Sequence, residues 1–308
     1  MKSDADPADS PCGSPPEARI PIHAIRGRGA ATAMPHRFAK DSRTVVDDGW
    51  DFPWDGEAQA TPQPTRVHRE TARSALCAND SPDIFFEHSV NPYRGCEHGC
   101  IYCFARPTHA YWDMSPGIDF ETRLIAKTNL AERLEEQLQK PGYVPQPIAL
   151  GINTDAYQPI EREQRLTRRT LEILLRYKHP LHLITKGSLI LRDLDLLSEL
   201  AQHNLVSVAF SLTTLDDELK RIMEPRTAAP AARLRAMRTL HEAGVPVSAI
   251  CAPMIPQIND MELEALLEAA RDAGARSAGY VLLRLPLEIA GLFEEWLQVH
   301  FPDRAAHV

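Results

Sequence analysis

Apolar runs alternate with segments of helical periodicity through the second half of the chain. Each run is rich in β-branched residues, apolar on both faces and bounded by polar residues, glycine or proline, which is typical of buried parallel strands. The apolar runs are 147–155, 180–187, 205–214, 245–255 and 277–286, and the helical segments that follow them are 161–178, 191–203, 216–243, 260–273 and 288–299. With a further strand near 87–92, the pattern predicts about six βα units and an α/β fold with a parallel sheet.

Six units are fewer than a closed barrel needs, since eight units typically take about 250 residues. The sequence therefore predicts a partial (β/α)6 barrel of the TIM type over residues 76–308, with a doubly wound open sheet as the alternative. In either architecture, functional residues gather at the C-terminal ends of the parallel strands. These ends correspond to residues 93–111, 153–158, 185–188, 211–214, 251–257 and 284–286.

Residues 1–75 have a different composition. Proline, aspartate, arginine, serine and alanine dominate, and no apolar pattern lasts more than a few positions, so we expect a Pro-rich, largely irregular N-terminal extension. Some of its apolar residues are candidates for anchoring it on the folded body as a strap, while a tail without function is the alternative. These candidates are Ile20, Ile22, Ile25, Phe38, Trp50, Phe52 and Trp54.

The overall composition excludes several classes of protein. With 44% hydrophobic and 25% charged residues over 308 positions, it is typical of a soluble protein. No run of about 18 apolar residues occurs, so we expect no membrane span, and the acidic N-terminus is no secretory signal. Six cysteines are too few for a secreted disulfide scaffold, which favours the cytoplasm. A net charge of −8 argues against a general nucleic-acid coat but leaves a local basic groove possible.

Three cysteines lie close together in the stretch SVNPYRGCEHGCIYCFARPTH, directly after the first predicted strand. Cys96, Cys100 and Cys103 have the spacing Cys-x3-Cys-x2-Cys, and thiolates suit iron–sulfur clusters, zinc and copper(I). Three thiolates can hold three corners of a cubane and leave the fourth iron open to another ligand. The alternative is a structural zinc ion with His98 or His109 as the fourth ligand.

The motif resembles that of a known superfamily. CEHGCIYCFAR has an aromatic residue, Tyr102, just before the third cysteine, and TDAYQPIE and LITKG follow the next strands. Together they resemble the radical S-adenosylmethionine (SAM) superfamily, in the branch related to spore photoproduct lyase, over about residues 85–290. The resemblance implies a partial (β/α)6 barrel, which agrees with the strand count.

The resemblance also implies a chemistry and its cofactors. Cys96, Cys100 and Cys103 would hold a [4Fe–4S] cluster, and SAM would bind the open iron through its amino and carboxylate groups. One-electron reduction, by a donor of the flavodoxin or ferredoxin type, would yield a 5′-deoxyadenosyl radical that acts on an unidentified substrate. Because similar proteins continue beyond the sequence FPDRAAHV, we expect the C-terminal end to be incomplete.

Further SAM contacts follow from the resemblance. We expect the backbone at Tyr102 to meet the adenine, and the polar residues after the second strand to face the SAM amino group. Lys186 would neutralise the carboxylate, and Ser211 would bind the ribose. Each also has a simpler interpretation as a core, turn or solvated residue. The predicted cofactor-binding residues are Tyr102, Asn153, Thr154, Asp155, Lys186 and Ser211, with Met254 and Ile255 as apolar candidates beside the adenine.

The catalytic residue is not identified by the sequence. Cys251 is a weak candidate for a hydrogen donor, although a cysteine in an apolar strand usually belongs to the core. Glu224 and Arg226 are interpreted as the polar face of an amphipathic helix rather than as an anion site.

Two other functions stay open. One is a DNA-repair lyase of the spore photoproduct lyase type, whose hydrogen-donor cysteine has no counterpart in the stretch ALGINTDAY. The other is a non-catalytic interaction module stabilised by an iron–sulfur cluster or zinc.

Overall fold

The computed structural model describes residues 24–39, 64–80 and 86–308. Its strands are β1 (Arg66–Glu70), β2 (Leu76–Ala78), β3 (His88–Val90), β4 (Tyr93–Arg94), β5 (Arg123–Lys127), β6 (Ile148–Leu150), β7 (Leu181–Thr185), β8 (Val206–Ser211), β9 (Val247–Met254) and β10 (Ala278–Leu282). Its helices are α1 (Asp119–Thr122), α2 (Leu130–Leu138), α3 (Glu161–Gln164), α4 (Leu166–Arg176), α5 (Leu194–Gln202), α6 (Asp217–Met223), α7 (Pro230–Glu242), α8 (Leu263–Asp272) and α9 (Ile289–His300). Short 3-10 helices cover Arg106–Trp112, Ser188–Asp193 and Asp260–Glu262.

The main sheet has seven strands in the order β10-β9-β8-β7-β6-β3-β2. All neighbours in it are parallel except the pair β2 and β3. Among the parallel strands the spatial order follows the chain order without reversal, whereas a doubly wound sheet reverses its order at a switch point. The predicted partial (β/α)6 barrel is therefore confirmed, and each predicted apolar run contains one strand.

The two faces of the sheet differ, contrary to the prediction of strands buried on both sides. In the middle of the sheet, alternate residues such as Leu183, Val208 and Ala249 are buried in the main core beneath the helices. Their neighbours point inward, are half-exposed and line a cavity of about 350 Å³. The prediction is wrong because an open barrel does not fill its interior with layers of bulky side chains, as a closed one does.

β10 is exposed along its whole length, although the sequence predicts a buried strand there. The helix that follows it, α9, packs elsewhere. Its Phe293 and Trp296 lie in a second core cluster with Ile101 and Met223. Residue 101 belongs to the cysteine motif, so the last helix supports that motif instead of covering the last strand.

A second, smaller sheet has the order β1-β5-β4. Its edge strand β1 lies inside the segment that the sequence predicts as irregular, and pairs in parallel with β5 from Arg66 to Glu70. Four of the five β1 residues are exposed, so the strand carries no apolar alternation that a sequence pattern could reveal. Backbone pairing with β5 forms it instead.

Residues 24–39, which we call the strap, lie against the folded body. Their best-buried side chains are Arg28 and Ala30, whereas the predicted anchors Ile25 and Phe38 are half-buried and 52% exposed respectively. Five other predicted anchors lie outside the described residues: Ile20, Ile22, Trp50, Phe52 and Trp54. Within the described ranges, no helix combines the length and the apolar character that a membrane span requires.

Candidate metal and cofactor site

The cysteine loop, residues 95–103, lies between β4 and the 3-10 helix Arg106–Trp112. Cys96 and Cys100 are buried, Cys103 is partly exposed, and all three are free thiols. The Cys96 amide donates to the carbonyl of Phe120 at 2.9 Å, and the Ile101 amide donates to the carbonyl of Met223 at 3.0 Å. The loop is therefore fixed to the chain on two sides.

Two glycines let the loop turn in a confined space. Gly95 and Gly99 have φ angles of +74° and +68°, which favour glycine. A Cβ at Gly95 would lie 2.7 Å from Leu124 Cδ2, and one at Gly99 would lie 2.7 Å from Glu121 Oε2. The folded conformation of the cysteine loop thus requires glycine at both positions.

The surroundings of the loop thiols make the negatively charged thiolate form energetically unfavourable when no metal is bound. Burial raises the pKa of the Cys96 thiol well above its ordinary value, and the Asp155 carboxylate and the other two thiols raise it further. Burial and the nearby Glu224 carboxylate raise the pKa of Cys100 to about 12. A cationic metal centre reverses this, because a coordinating thiol is deprotonated outright. Three unlinked thiols that interact across one loop therefore fit an iron–sulfur cluster.

The two histidines proposed as zinc ligands have other partners. His98 Nδ1 lies 3.3 Å from Asp155 Oδ2, and His109 Nε2 donates to the Arg123 carbonyl at 3.0 Å. Within the part of the chain that the structure describes, no three histidine, cysteine, aspartate or glutamate side chains converge around a single ion. Each contact engages one ring nitrogen, and His109 Nδ1 is buried without a hydrogen-bond partner among the described residues, so the zinc alternative stays open.

Buried side chains that the sequence analysis did not single out hold the loop. Gln158 accepts from the Glu97 amide at 2.9 Å and donates to the Gly95 carbonyl at 3.2 Å. Arg106, fully buried, donates to the carbonyls of Cys100 at 2.9 Å and Gly99 at 3.1 Å. Gln158 lies in TDAYQPIE and Arg106 in CEHGCIYCFAR, but only the structure shows that their side chains bind the backbone of the cysteine loop.

We expect Gln158→Leu to lower the free energy of unfolding by about 2–4 kcal/mol, because it leaves the buried Glu97 amide and Gly95 carbonyl without partners. Urea denaturation followed by circular dichroism measures the change. Gln202→Leu, at an exposed position on α5, is the matched control and should leave the free energy nearly unchanged. A Gln158→Leu protein as stable as the control would contradict this role.

The polar residues after β6 serve different purposes. Asp155 accepts from Thr185 Oγ1 and from the Lys186 amide, both at 2.7 Å, and so ties the end of β6 to the end of β7. Burial by itself raises the pKa of Asp155, but His98 and these donors outweigh it and lower the pKa to about 2. Thr154 is buried and donates to the Tyr93 carbonyl at 2.9 Å.

Asn153 differs from the two residues that follow it. Its side chain is exposed and makes no hydrogen bond with any other residue that the structure describes. Of the three polar residues predicted to face the SAM amino group, Asn153 is thus the one whose side chain is not already engaged by another described residue.

Glu224 is fully buried, so its interpretation as part of a solvated helix face is wrong. Its carboxylate accepts from the Tyr102 hydroxyl and pairs with the buried Arg233 guanidinium. Lys186 Nζ lies 4.0 Å from Glu224 Oε1 and 5.8 Å from the centre of the Tyr102 ring. Burial alone raises the pKa of Glu224, but Arg233 and Lys186 outweigh it and lower the pKa to about 2. The Glu224 carboxylate thus joins Tyr102 of the cysteine loop to Arg233 and Lys186.

The last candidates lie at the ends of β8 and β9. Ser211 is buried and donates weakly to the Ala252 carbonyl at 3.4 Å, and Met254 and Ile255 are buried as well. Cys251 is fully buried in the main core, on the side of β9 that packs against the helices. It does not line the cavity, and its role as a hydrogen donor stays a prediction.

Comparison with known proteins supports the resemblance of the motif. The profile of the Radical SAM superfamily matches residues 90–270, which is more than half of the chain. The chain therefore belongs to the radical SAM superfamily. An uncharacterized protein from Mycobacterium tuberculosis (strain ATCC 25618 / H37Rv) is 40% identical over 241 residues, covering 77% of this chain and 70% of the relative. An uncharacterized protein from Methanocaldococcus jannaschii is 28% identical over 176 residues, covering 57% and 63%.

Among solved structures, a spore photoproduct lyase mutant superimposes with a TM-score of 0.56 at 16% identity, covering 77% of this chain and 66% of that one. Another, with a TM-score of 0.53, contains bound AdoMet and dinucleoside spore photoproduct. At this identity the likeness concerns the fold. The chain spans about two thirds of the length of these enzymes.

Proposed function

We propose that this protein binds a [4Fe–4S] cluster through Cys96, Cys100 and Cys103 and uses it to cleave SAM reductively. When bound, the cluster and SAM supply one-electron chemistry that releases a 5′-deoxyadenosyl radical. The observation that carries the proposal is the arrangement of three free thiols on one glycine-dependent loop. The loop stands at the C-terminal ends of the parallel strands, where barrels of this kind place their active sites.

Other side chains around the loop are suited to hold SAM. Lys186 offers its ammonium beside the Tyr102 ring, where it can attract the SAM carboxylate. Asn153 offers an uncommitted amide for the amino group. The Tyr102 hydroxyl is held by Glu224 and the neighbouring Ile101 amide by the Met223 carbonyl, which positions the backbone proposed to meet the adenine. Ser211 completes the set with a hydroxyl for the ribose.

We expect Lys186→Met to weaken SAM binding to the iron-loaded protein roughly 10- to 100-fold, since hydrogen bonds to charged groups contribute about 1.5–3 kcal/mol. Isothermal titration calorimetry under anaerobic conditions measures the dissociation constant. Lys140→Met, at an exposed position, is the control and should bind SAM as the parent does. Equal affinities of the two variants would remove Lys186 from the proposed site.

We propose that the cavity inside the barrel, lined by the first and middle parts of β7 to β10, receives part of the substrate, while the radical forms at the cysteine loop by the C-terminal strand ends. His182 and Ser207 line it with Nδ1 and Oγ 2.6 Å apart, and Ser248 and Ile250 continue the wall. The described residues around this cavity include no aspartate, glutamate, lysine or arginine. Such a lining suits an uncharged group and does not favour a nucleic-acid backbone.

Metal analysis tests the cluster directly. After anaerobic reconstitution, we expect about four iron and four sulfide ions per chain and a visible absorption that dithionite bleaches. The electron donor is proposed to approach at Cys103, the partly exposed cysteine. Stoichiometric zinc without sulfide would overturn the proposal in favour of a structural module.

A further inference from the structure

The strap touches the cysteine loop backbone to backbone. A Cβ at Gly29 would lie 1.9 Å from the carbonyl oxygen of Gly99, a residue between two of the cysteines. Gly29 has no positive φ angle, so the close approach, rather than the conformation, requires glycine at this position. The strap can dock in this way only if the loop has its folded conformation.

One buried carboxylate joins the strap to the loop. Glu121 accepts from the amides of Gly29 at 3.0 Å and Ala30 at 2.8 Å. It also pairs with Arg106 at 2.6 Å, and both side chains are fully buried. Because Arg106 holds the carbonyls of Gly99 and Cys100, the same carboxylate connects strap and loop.

Further contacts between the strap and residues 115–121 extend this docking. Thr32 accepts at its carbonyl from the Ile118 amide at 3.0 Å, and Met34 accepts from Ser115 Oγ at 2.8 Å. Arg28 donates to the Glu121 carbonyl at 2.9 Å. The segment before β5 is therefore enclosed between the strap and the loop.

We infer that the strap is a positioning element of the cysteine loop, acting through Gly29 and Glu121. Neither residue is proposed to touch the cluster; they hold the loop in the conformation in which Cys96 and Cys100 are buried together. The role of the loop as a cluster site rests on the proposed function, whereas the contacts between the strap and the loop do not. Since coupling between sites is reciprocal, whatever orders the loop also orders the strap.

Alkylation of the cysteines in the metal-free, full-length chain tests this inference. We expect Gly29→Ala to raise the iodoacetamide reaction rates of Cys96 and Cys100 by about tenfold or more, measured for each residue by mass spectrometry. Cys251, buried in the main core, reports global unfolding, and the exposed Cys77 reports the reagent; both rates should stay unchanged.

Ala33→Ser, at an exposed position of the strap, is the control and should react as the parent does. If Gly29→Ala also raises the Cys251 rate, that variant is unfolding globally and cannot test the inference. Arg28→Ala is then the deciding variant. It should raise the Cys96 and Cys100 rates without changing that of Cys251. Unchanged Cys96 and Cys100 rates in a folded variant would overturn the inference.

Iron retention provides a second readout. After reconstitution, Gly29→Ala should lose iron to a chelator faster than Ala33→Ser does. Equal rates of loss would count against the positioning role. If the parent itself takes up no iron, the proposed function fails, and the alkylation pattern still decides whether the strap holds the loop.

Discussion

Alanine at Cys96, Cys100 or Cys103 is expected to reduce the iron bound after anaerobic reconstitution to about a tenth or less of the parent's content. A cubane bound through three thiolates loses one corner in each variant, and no spare thiol lies in the loop. Colorimetric iron and sulfide assays measure the result, and circular dichroism shows whether each variant is folded.

Two cysteines outside the loop provide the controls. Cys77 is exposed on β2, and Cys251 is buried in the main core, so alanine at either position should leave the iron content unchanged. Cys251→Ala also shows whether a core substitution alone impairs loading. Full iron content in all three loop variants would contradict the assignment of the ligands.

Glu224→Leu is expected to lower the free energy of unfolding by about 3–5 kcal/mol, the usual cost of leaving one partner of a buried ion pair alone. Arg233 is 1% exposed and would lose its counter-charge. Lys186 would lose the carboxylate 4.0 Å away, and the Tyr102 hydroxyl would lose its hydrogen-bond acceptor. Urea denaturation at neutral pH measures the change.

The double variant Glu224→Leu/Arg233→Met should recover part of this loss, because it removes both charges. Asp272→Asn, in an exposed pair with Arg271, should leave stability unchanged. The pKa of Glu224 is about 2 in the folded protein against an ordinary value of 4.5, so its stabilisation is complete above pH 4.5 and is lost as the pH falls toward 2. The difference between parent and Glu224→Leu should therefore shrink over that range.

The sequence was sufficient for the architecture and for the centre of the site. β6 to β9 lie within long apolar runs separated by helical segments, and these patterns are local. The cysteine spacing is local too, so Cys96, Cys100 and Cys103 could be chosen without a structure. The structure brings this loop to the strand ends, as the predicted barrel requires.

Arg106 holds carbonyls six and seven positions away, but the other supports of the loop could not be predicted, because they join residues far apart in the chain. Glu224 meets Tyr102 across 122 positions, and Gln158 reaches back 61 positions to the Glu97 amide. Glu121 and Gly29 are 92 positions apart. Neither the periodicity nor the spacing of residues reveals such pairings. The sequence also does not distinguish a buried carboxylate from a solvated one.

The release of 5′-deoxyadenosine tests the central claim most directly. The reconstituted protein is incubated with dithionite and SAM, and the products are separated by liquid chromatography. We expect 5′-deoxyadenosine that accumulates with time and is absent when Cys100→Ala replaces the parent. A fully iron-loaded protein that releases none would contradict the proposal that this site cleaves SAM.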